Sequence, residues 1–179
     1  NYPDSPSEID YITSFQGPTN YAENYGTRVR GYIIPDETGN YTFNVTGDDN
    51  TILYLSTDAD ESNKVQIASA PGWTNISEHT KYTEQTSATI ALEAGVGYYV
   101  ELLQKEGGGG DHFQVYWQTP SVSSWTIIPG GNLAAFGCYE ICDNGIDDDG
   151  DDLVDCADKD CGFILNREFN SGMQNWILW

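Results

Sequence analysis

Apolar residues return at every second position along much of this chain. In YTFNVT (41–46), Tyr41, Phe43 and Val45 alternate with Thr42, Asn44 and Thr46, the period of a strand with one buried face. TILYLS (51–56) follows after GDDN, a four-residue connection that predicts a hairpin with Asp48 and Asp49 at its tip. TRVRGYII (27–34), KVQIAS (64–69), SATIAL (87–92), GYYVELLQ (97–104) and HFQVYWQT (112–119) extend the series, with Gly, Asn and Asp at the turns between them. Helix signals of comparable strength are absent. The pattern predicts an all-β domain, an antiparallel β-sandwich or barrel. Trp117 shares a strand face with Phe113 and Val115 and is expected in the core. Trp73, in APGWTN, is read as a core residue first, with a sugar-stacking platform as the alternative.

Charge changes this picture. The chain carries 28 acids against 7 bases, a net charge of -21, which disfavours nucleic acid as a partner. Such a surplus repels itself unless cations neutralise part of it. Yet 13% of residues are aromatic and 39% hydrophobic, too many for a disordered acidic chain. Ten of the acids fall between Cys138 and Cys161, where Lys159 is the single base. That density asks for a metal. No stretch approaches the roughly 18 apolar residues of a membrane span.

Cys138, Cys142, Cys156 and Cys161 all lie in this acidic segment. Their C-x3-C-x13-C-x4-C spacing amid hard carboxylates suits disulfides better than a thiolate zinc site. Disulfides imply an oxidising, extracellular setting, and the three possible pairings stay open. The chain therefore divides into a sandwich over 1–137, an Asp/Cys-rich linker over 138–161, and a tail over 162–179. The tail, GFILNREFNSGMQNWILW, is too short to fold alone and too apolar to leave in water. It is expected to be the first strand of a following domain in a longer protein, and resembles the opening of a jelly-roll carbohydrate-binding module.

Two loops carry the candidate chemistry. GDDN sets Asp48 and Asp49 side by side, and EGGGGD (106–111) offers Asp111 and a run of nearly bare backbone. Calcium takes six to eight oxygens from carboxylates, carbonyls and water. Glycine lets successive carbonyls turn toward one ion without a side chain in the way. If both loops meet at one end of the sandwich, they supply a half-shell of oxygens and leave the rest open. Taken singly, either loop is more simply a turn.

YGTRVRGYIIPDETGNYTFNVTGDDNTILYLSTD followed by LEAGVGYYVELLQKEGGGGDHFQVYWQTP resembles the protective-antigen fourteen-kilodalton (PA-fourteen) domain family, over about Tyr2 to Phe136. The resemblance implies a β-sandwich module of the kind found on adhesins, glycosidases and toxins. It implies calcium held by two adjacent aspartates joined through a cis peptide, here Asp48 and Asp49. It implies further ligands from Gly108, Gly109, Gly110 and Asp111, with sugar hydroxyls completing the shell. His112 and Asn50 depart from the family pattern beside the expected ion. Asp48, Asp49, Asp111, His112 and Trp73 are accordingly the candidate ligand-binding residues.

The linker has its own logic. Numbered from Asp147, acids fall at loop positions 1, 3, 5, 9 and 12: Asp147, Asp149, Asp151, Asp155 and Asp158. Leu153 stands at position 7, where a backbone carbonyl is used. This is EF-hand spacing without flanking helices, with Asp152 in place of the usual glycine. It resembles the aspartate-rich linker repeat of secreted bacterial multidomain proteins, and a solvated acidic spacer is the simpler alternative. A calcium-clipped, disulfide-stapled joint is expected.

His79 and His112 are the only histidines, and neither has a matched nucleophile, so no catalytic triad is supported. Acids set against glycine look like metal ligands rather than a glycosidase pair. Asn40, Asn44 and Asn75 fit the N-x-S/T acceptor pattern. The expected function is a non-enzymatic, calcium-dependent glycan-binding module on the cell surface or outside the cell. The rivals are a calcium-stiffened spacer and an accessory module of a polysaccharide-degrading enzyme.

Overall fold

The computed structural model of the protein describes residues 6–136 and the backbone of residues 163–169. Eleven strands follow in order: β1 Glu8–Ile12, β2 Tyr25–Ile33, β3 Gly39–Asp48, β4 Asn50–Leu55, β5 Val65–Ala70, β6 Ile90–Leu92, β7 Tyr98–Glu106, β8 His112–Gln118, β9 Thr126–Ile127, β10 Leu133–Ala135 and β11 Phe163–Phe169. Among the described residues the only helical turns are three short 3-10 segments. None is long and apolar enough to cross a membrane.

The strands form two antiparallel sheets that pack as a sandwich. The larger runs β1-β11-β2-β7-β4-β5, with β10 also on β2; the smaller runs β6-β3-β8-β9. The period-two alternation sets which side chains face in. Along β2, Tyr25, Thr27, Val29 and Ile33 are buried while Arg28, Arg30 and Tyr32 are partly exposed. Val29, Leu53, Val100 and Leu102 of one sheet meet Phe43, Val45, Phe113, Val115 and Trp117 of the other. Each such side chain removed from water contributes about 1.5–3 kcal/mol, so this layer is what holds the sheets face to face.

Three expectations change here. GDDN is no hairpin: β3 belongs to the small sheet and β4 to the large one, so the chain crosses between layers at Asp49. Both strands alternate correctly, but alternation says which residues face inward, not which sheet a strand joins. Trp73 is not core; it stands half-exposed, at 50%. The segment read as opening a further domain pairs, over Phe163–Phe169, between β1 and β2 of the large sheet.

The small sheet also buries polar residues on its outer side, because residues 74–87 lie over it. Asn44 Nδ2 donates to the His79 carbonyl at 3.0 Å and to Thr86 Oγ1 at 2.8 Å. Gln85 Nε2 donates to the carbonyls of Val45 and Glu78 at 2.8 and 2.7 Å. These bonds satisfy groups that burial would otherwise penalise. Asn44 is fully buried, so of the three acceptor patterns this one is inaccessible in the folded protein. The linker candidates Asp147, Asp149, Asp151, Leu153, Asp155 and Asp158, and all four cysteines, lie outside the described residues.

Candidate metal centre

The two flagged loops lie side by side, each at a point where the chain passes from one sheet to the other. β3 ends at Asp48 and β4 starts at Asn50, leaving Asp49 alone in the crossing; the Asp48–Asp49 peptide is cis. β7 ends at Glu106 and β8 starts at His112, with 107–111 between. The register brings these together: Asp48 opposes His112, and Asn50 opposes Lys105. Gly107 N then donates to Asp49 Oδ2 at 3.1 Å. Gln104 Nε2, below, donates to the carbonyls of Asp48 and His112, tying both crossings to one side chain.

Glycine is needed at particular points of this junction. A Cβ on Gly47 would fall 1.9 Å from Thr51 Oγ1, so the crossing closes only without one. Gly109 has φ +116, a conformation that side chains disfavour. The rest of the run keeps its backbone close to acids: a Cβ on Gly107 would lie 3.0 Å from Asp49 Oδ2, and one on Gly110 3.6 Å from Asp48 Oδ2.

Asp48, Asp49 and Glu106 each place a carboxylate oxygen within 4.8 Å of the others. Oxygens around one calcium, each at about 2.3–2.6 Å, are at most about 5 Å apart, so the three suit a single ion. Glu106 is 1% exposed and neither of its oxygens has a hydrogen-bond partner; the Asp49 backbone amide approaches it short of hydrogen-bond geometry. Burial, and then the charges of Asp49, Asp48 and Asp111, push its carboxyl up to about 7. Asp48 is raised as well, by burial and by Asp49 beside it. A buried carboxylate without donors is costly, and a cation among these three would relieve the repulsion. The donor set fits calcium.

Asp111 is near this group but differently engaged. It is 2% exposed, and its carboxylate accepts from the backbone N–H of Tyr21 at 2.9 and 2.7 Å and of Ala22 at 2.9 Å. Asn20 N donates to the Asp111 carbonyl at 3.0 Å. Asp111 thus holds residues 20–22 against the glycine loop. In that position Asn20 Oδ1 would lie 3.3 Å from a Cβ on Gly110, and Glu23 Oε2 3.5 Å from one on Gly108. Asn20 and Asn24 take positive φ, 52 and 57, as asparagine does more readily than most. This loop forms a third wall that sequence reading missed.

Outside the acids is an open depression lined by Asp48, Asp49, Trp73, Ile76, Gly108 and His112. Trp73 is propped: Lys81 Nζ sits 2.9 Å from its ring centre and donates to its carbonyl at 2.8 Å, and Tyr82 Oη donates to the same carbonyl at 3.3 Å. Ile76, at 55% exposed, stands beside it. His112 is buried at 7%; burial lowers its pKa against the pull of Asp111. Of the sequence candidates, Asp48, Asp49 and Gly108 to Gly110 come together, His112 backs them, and Trp73 stands at the rim. Glu106 was overlooked although it opens the EGGGGD stretch, because attention fell on the acid after the glycines.

Known proteins agree with this arrangement at the level of family. In the mouse, N-acetyl-β-glucosaminyl-glycoprotein 4-β-N-acetylgalactosaminyltransferase 1 is 37% identical over 101 residues, covering 54% of this chain and 10% of that protein. Mouse fibrocystin-L is 31% identical over 84 residues, covering 47% of this chain and 2% of that protein. The chain thus spans a tenth or less of the curated relatives it matches. Among solved structures, the epithelial adhesin 6 A domain of Candida glabrata, in complex with Galβ1-3GlcNAc, is similar with a TM-score of 0.48 and 18% identity, over 62% of this chain and 50% of that one. The PA14 domain of the MpAFP antifreeze protein is similar with a TM-score of 0.44 and 20% identity, over 62% and 52%. The family model for the PA14 domain matches residues 4–131, well over half of the sequence, and the chain belongs to the PA14 domain family.

Proposed function

We propose that the chain is a calcium-dependent carbohydrate-binding module acting outside the cell, and that it binds rather than transforms its ligand. Asp48, Asp49 and the carbonyls of Gly108 to Gly110 are the calcium ligands in this reading. Two neighbouring hydroxyls of a sugar complete the shell from the open depression, and one face of Trp73 packs on the sugar ring. The observation that carries it is the placement of the paired aspartates, with a buried carboxylate behind them, on the floor of a depression rimmed by a half-exposed tryptophan. A relative matched over this domain is named for transferring a sugar to a glycoprotein, which accords with a glycan-directed module. The proposal extends to the acidic segment, where Asp147 to Asp158 and the four cysteines make a calcium-clipped joint.

Contacts through two hydroxyls and one ring make a shallow site. Affinity near millimolar, roughly -4 kcal/mol, is expected, useful chiefly when many copies are displayed together. The test is sugar-induced chemical shifts in calcium-loaded protein, in chelated protein and in Asp49→Ala. Shifts that appear only in the first sample support the reading. If no diol-bearing sugar perturbs the calcium-loaded protein at tens of millimolar, roughly ten times the expected dissociation constant, the lectin reading fails and a calcium-stiffened spacer replaces it.

A further inference from the structure

The acids of this end are not equally placed. Asp48 and Asp49 are partly exposed at the depression, whereas Glu106 lies behind them with 1% of its surface accessible. Its side chain belongs to the last residue of β7, whose backbone is fixed in the large sheet by the Tyr25 pairing. Both Glu106 oxygens lack a hydrogen-bond partner, and one lies within 4.8 Å of an oxygen from each aspartate. Lys105, the next residue back, opposes Asn50 and Gly26, on the other face of the strand. A buried carboxylate in a folded domain normally has donors or a cation, and Glu106 has no donors.

We propose that Glu106 is a direct ligand of the cation, the innermost of three carboxylates, and that it sets how tightly calcium is held. This rests on the calcium reading above and adds to it a residue from the strand rather than from either loop. Three carboxylates against one divalent ion leave a net negative site, which favours a calcium that stays bound while sugars exchange on its open side. Calcium also accepts more oxygens, at longer distances, than magnesium, which holds its waters in a tight octahedron. A third carboxylate from a rigid strand therefore favours the larger ion. Glu106 has a second consequence in the metal-free protein: it is an unpaired buried charge that a neutral isostere would remove.

The experiment uses the full chain stripped of metal, with the amide resonances of Gly107 and Gly109 followed during titration with calcium and, separately, magnesium. These amides report this site and not the linker. In the wild type they should shift saturably with calcium and less with magnesium. In Glu106→Gln the calcium concentration needed should rise on the order of 100-fold, at least what the loss of a supporting partner costs a metal site. The thermal midpoint of metal-free Glu106→Gln should equal or exceed that of metal-free wild type. If Glu106→Gln binds calcium as the wild type does, Glu106 is not a ligand and the calcium reading survives without it. If its metal-free midpoint instead falls, Glu106 holds the fold and the assignment is wrong. If wild-type amides do not respond to calcium at all, this inference and the calcium reading fall together.

Discussion

Asp111 grips the backbone of Tyr21 from 90 residues away, accepting its N–H on both carboxylate oxygens at 2.9 and 2.7 Å. The bond binds the start of the chain to the glycine loop. Asp111→Ala should leave the amides of Tyr21 and Ala22 without an acceptor in a closed setting and cost about 1–3 kcal/mol. It should also loosen residues 20–24 and weaken calcium and sugar binding indirectly. Hydrogen exchange at Tyr21 and Ala22 distinguishes the routes: faster exchange in Asp111→Ala with calcium still bound marks a latch. Unchanged exchange with calcium lost marks a direct ligand.

Glu101 governs the outer side of the large sheet. It is 2% exposed and accepts from Arg28 at 2.7 Å, Lys64 at 3.0 Å and the Tyr99 hydroxyl at 2.8 Å. Burial alone would raise its pKa, but Tyr99, Arg28 and Lys64 together hold it below the ordinary carboxylate value. A depressed folded pKa stabilises above the unfolded value, about 4.3, and that contribution is lost as pH falls through the folded one. Glu101→Gln should destabilise by about 3–5 kcal/mol at pH 7, as breaking a buried pair does. Denaturant midpoints of the two proteins should converge on acidification below about pH 4. A gap that stays constant with pH would show that shape, not charge, is what Glu101 supplies.

Trp73 separates sugar contact from metal contact. Its carbonyl and one ring face are taken by Lys81, leaving the other face to the depression. Trp73→Ala should weaken sugar binding about tenfold, near 1.4 kcal/mol, while calcium affinity stays within a factor of about two. Paired sugar and calcium titrations read this directly. Equal sugar affinity in the variant would move the ligand away from this rim.

Gly47 closes the crossing between sheets. Gly47→Ala brings a methyl within 1.9 Å of Thr51 Oγ1 and 2.8 Å of Thr51 Cβ, overpacking a buried contact at a cost of about 1–3 kcal/mol. Thr51→Gly in the same chain should recover part of this, so the double-mutant cycle should show a favourable coupling above about 0.5 kcal/mol. Simple additivity would mean the strain is taken up elsewhere.

The sequence by itself determined the strands, their inward faces and the two loops that carry the acids. Alternation in YTFNVT and HFQVYWQT is a local property, dictated by the pleat, so Phe43, Val45, Val115 and Trp117 were assignable to a core before any pairing was known. The aspartate pair and the glycine run were legible for the same reason: each is contiguous. What only the tertiary structure decided depends on which strands become neighbours. GDDN has the length of a hairpin, yet β3 and β4 go to different sheets, because β4 finds its partners in β5 and β7. That choice sets Asp49 against Gly107 and turns Glu106, an ordinary strand-end acid in the sequence, into the buried third carboxylate. It also gives Asp111 to the backbone of Tyr21 and lifts Trp73 to a rim. Proximity across 58 residues, as between Asp49 and Gly107, comes from sheet register, and no short window of sequence contains it.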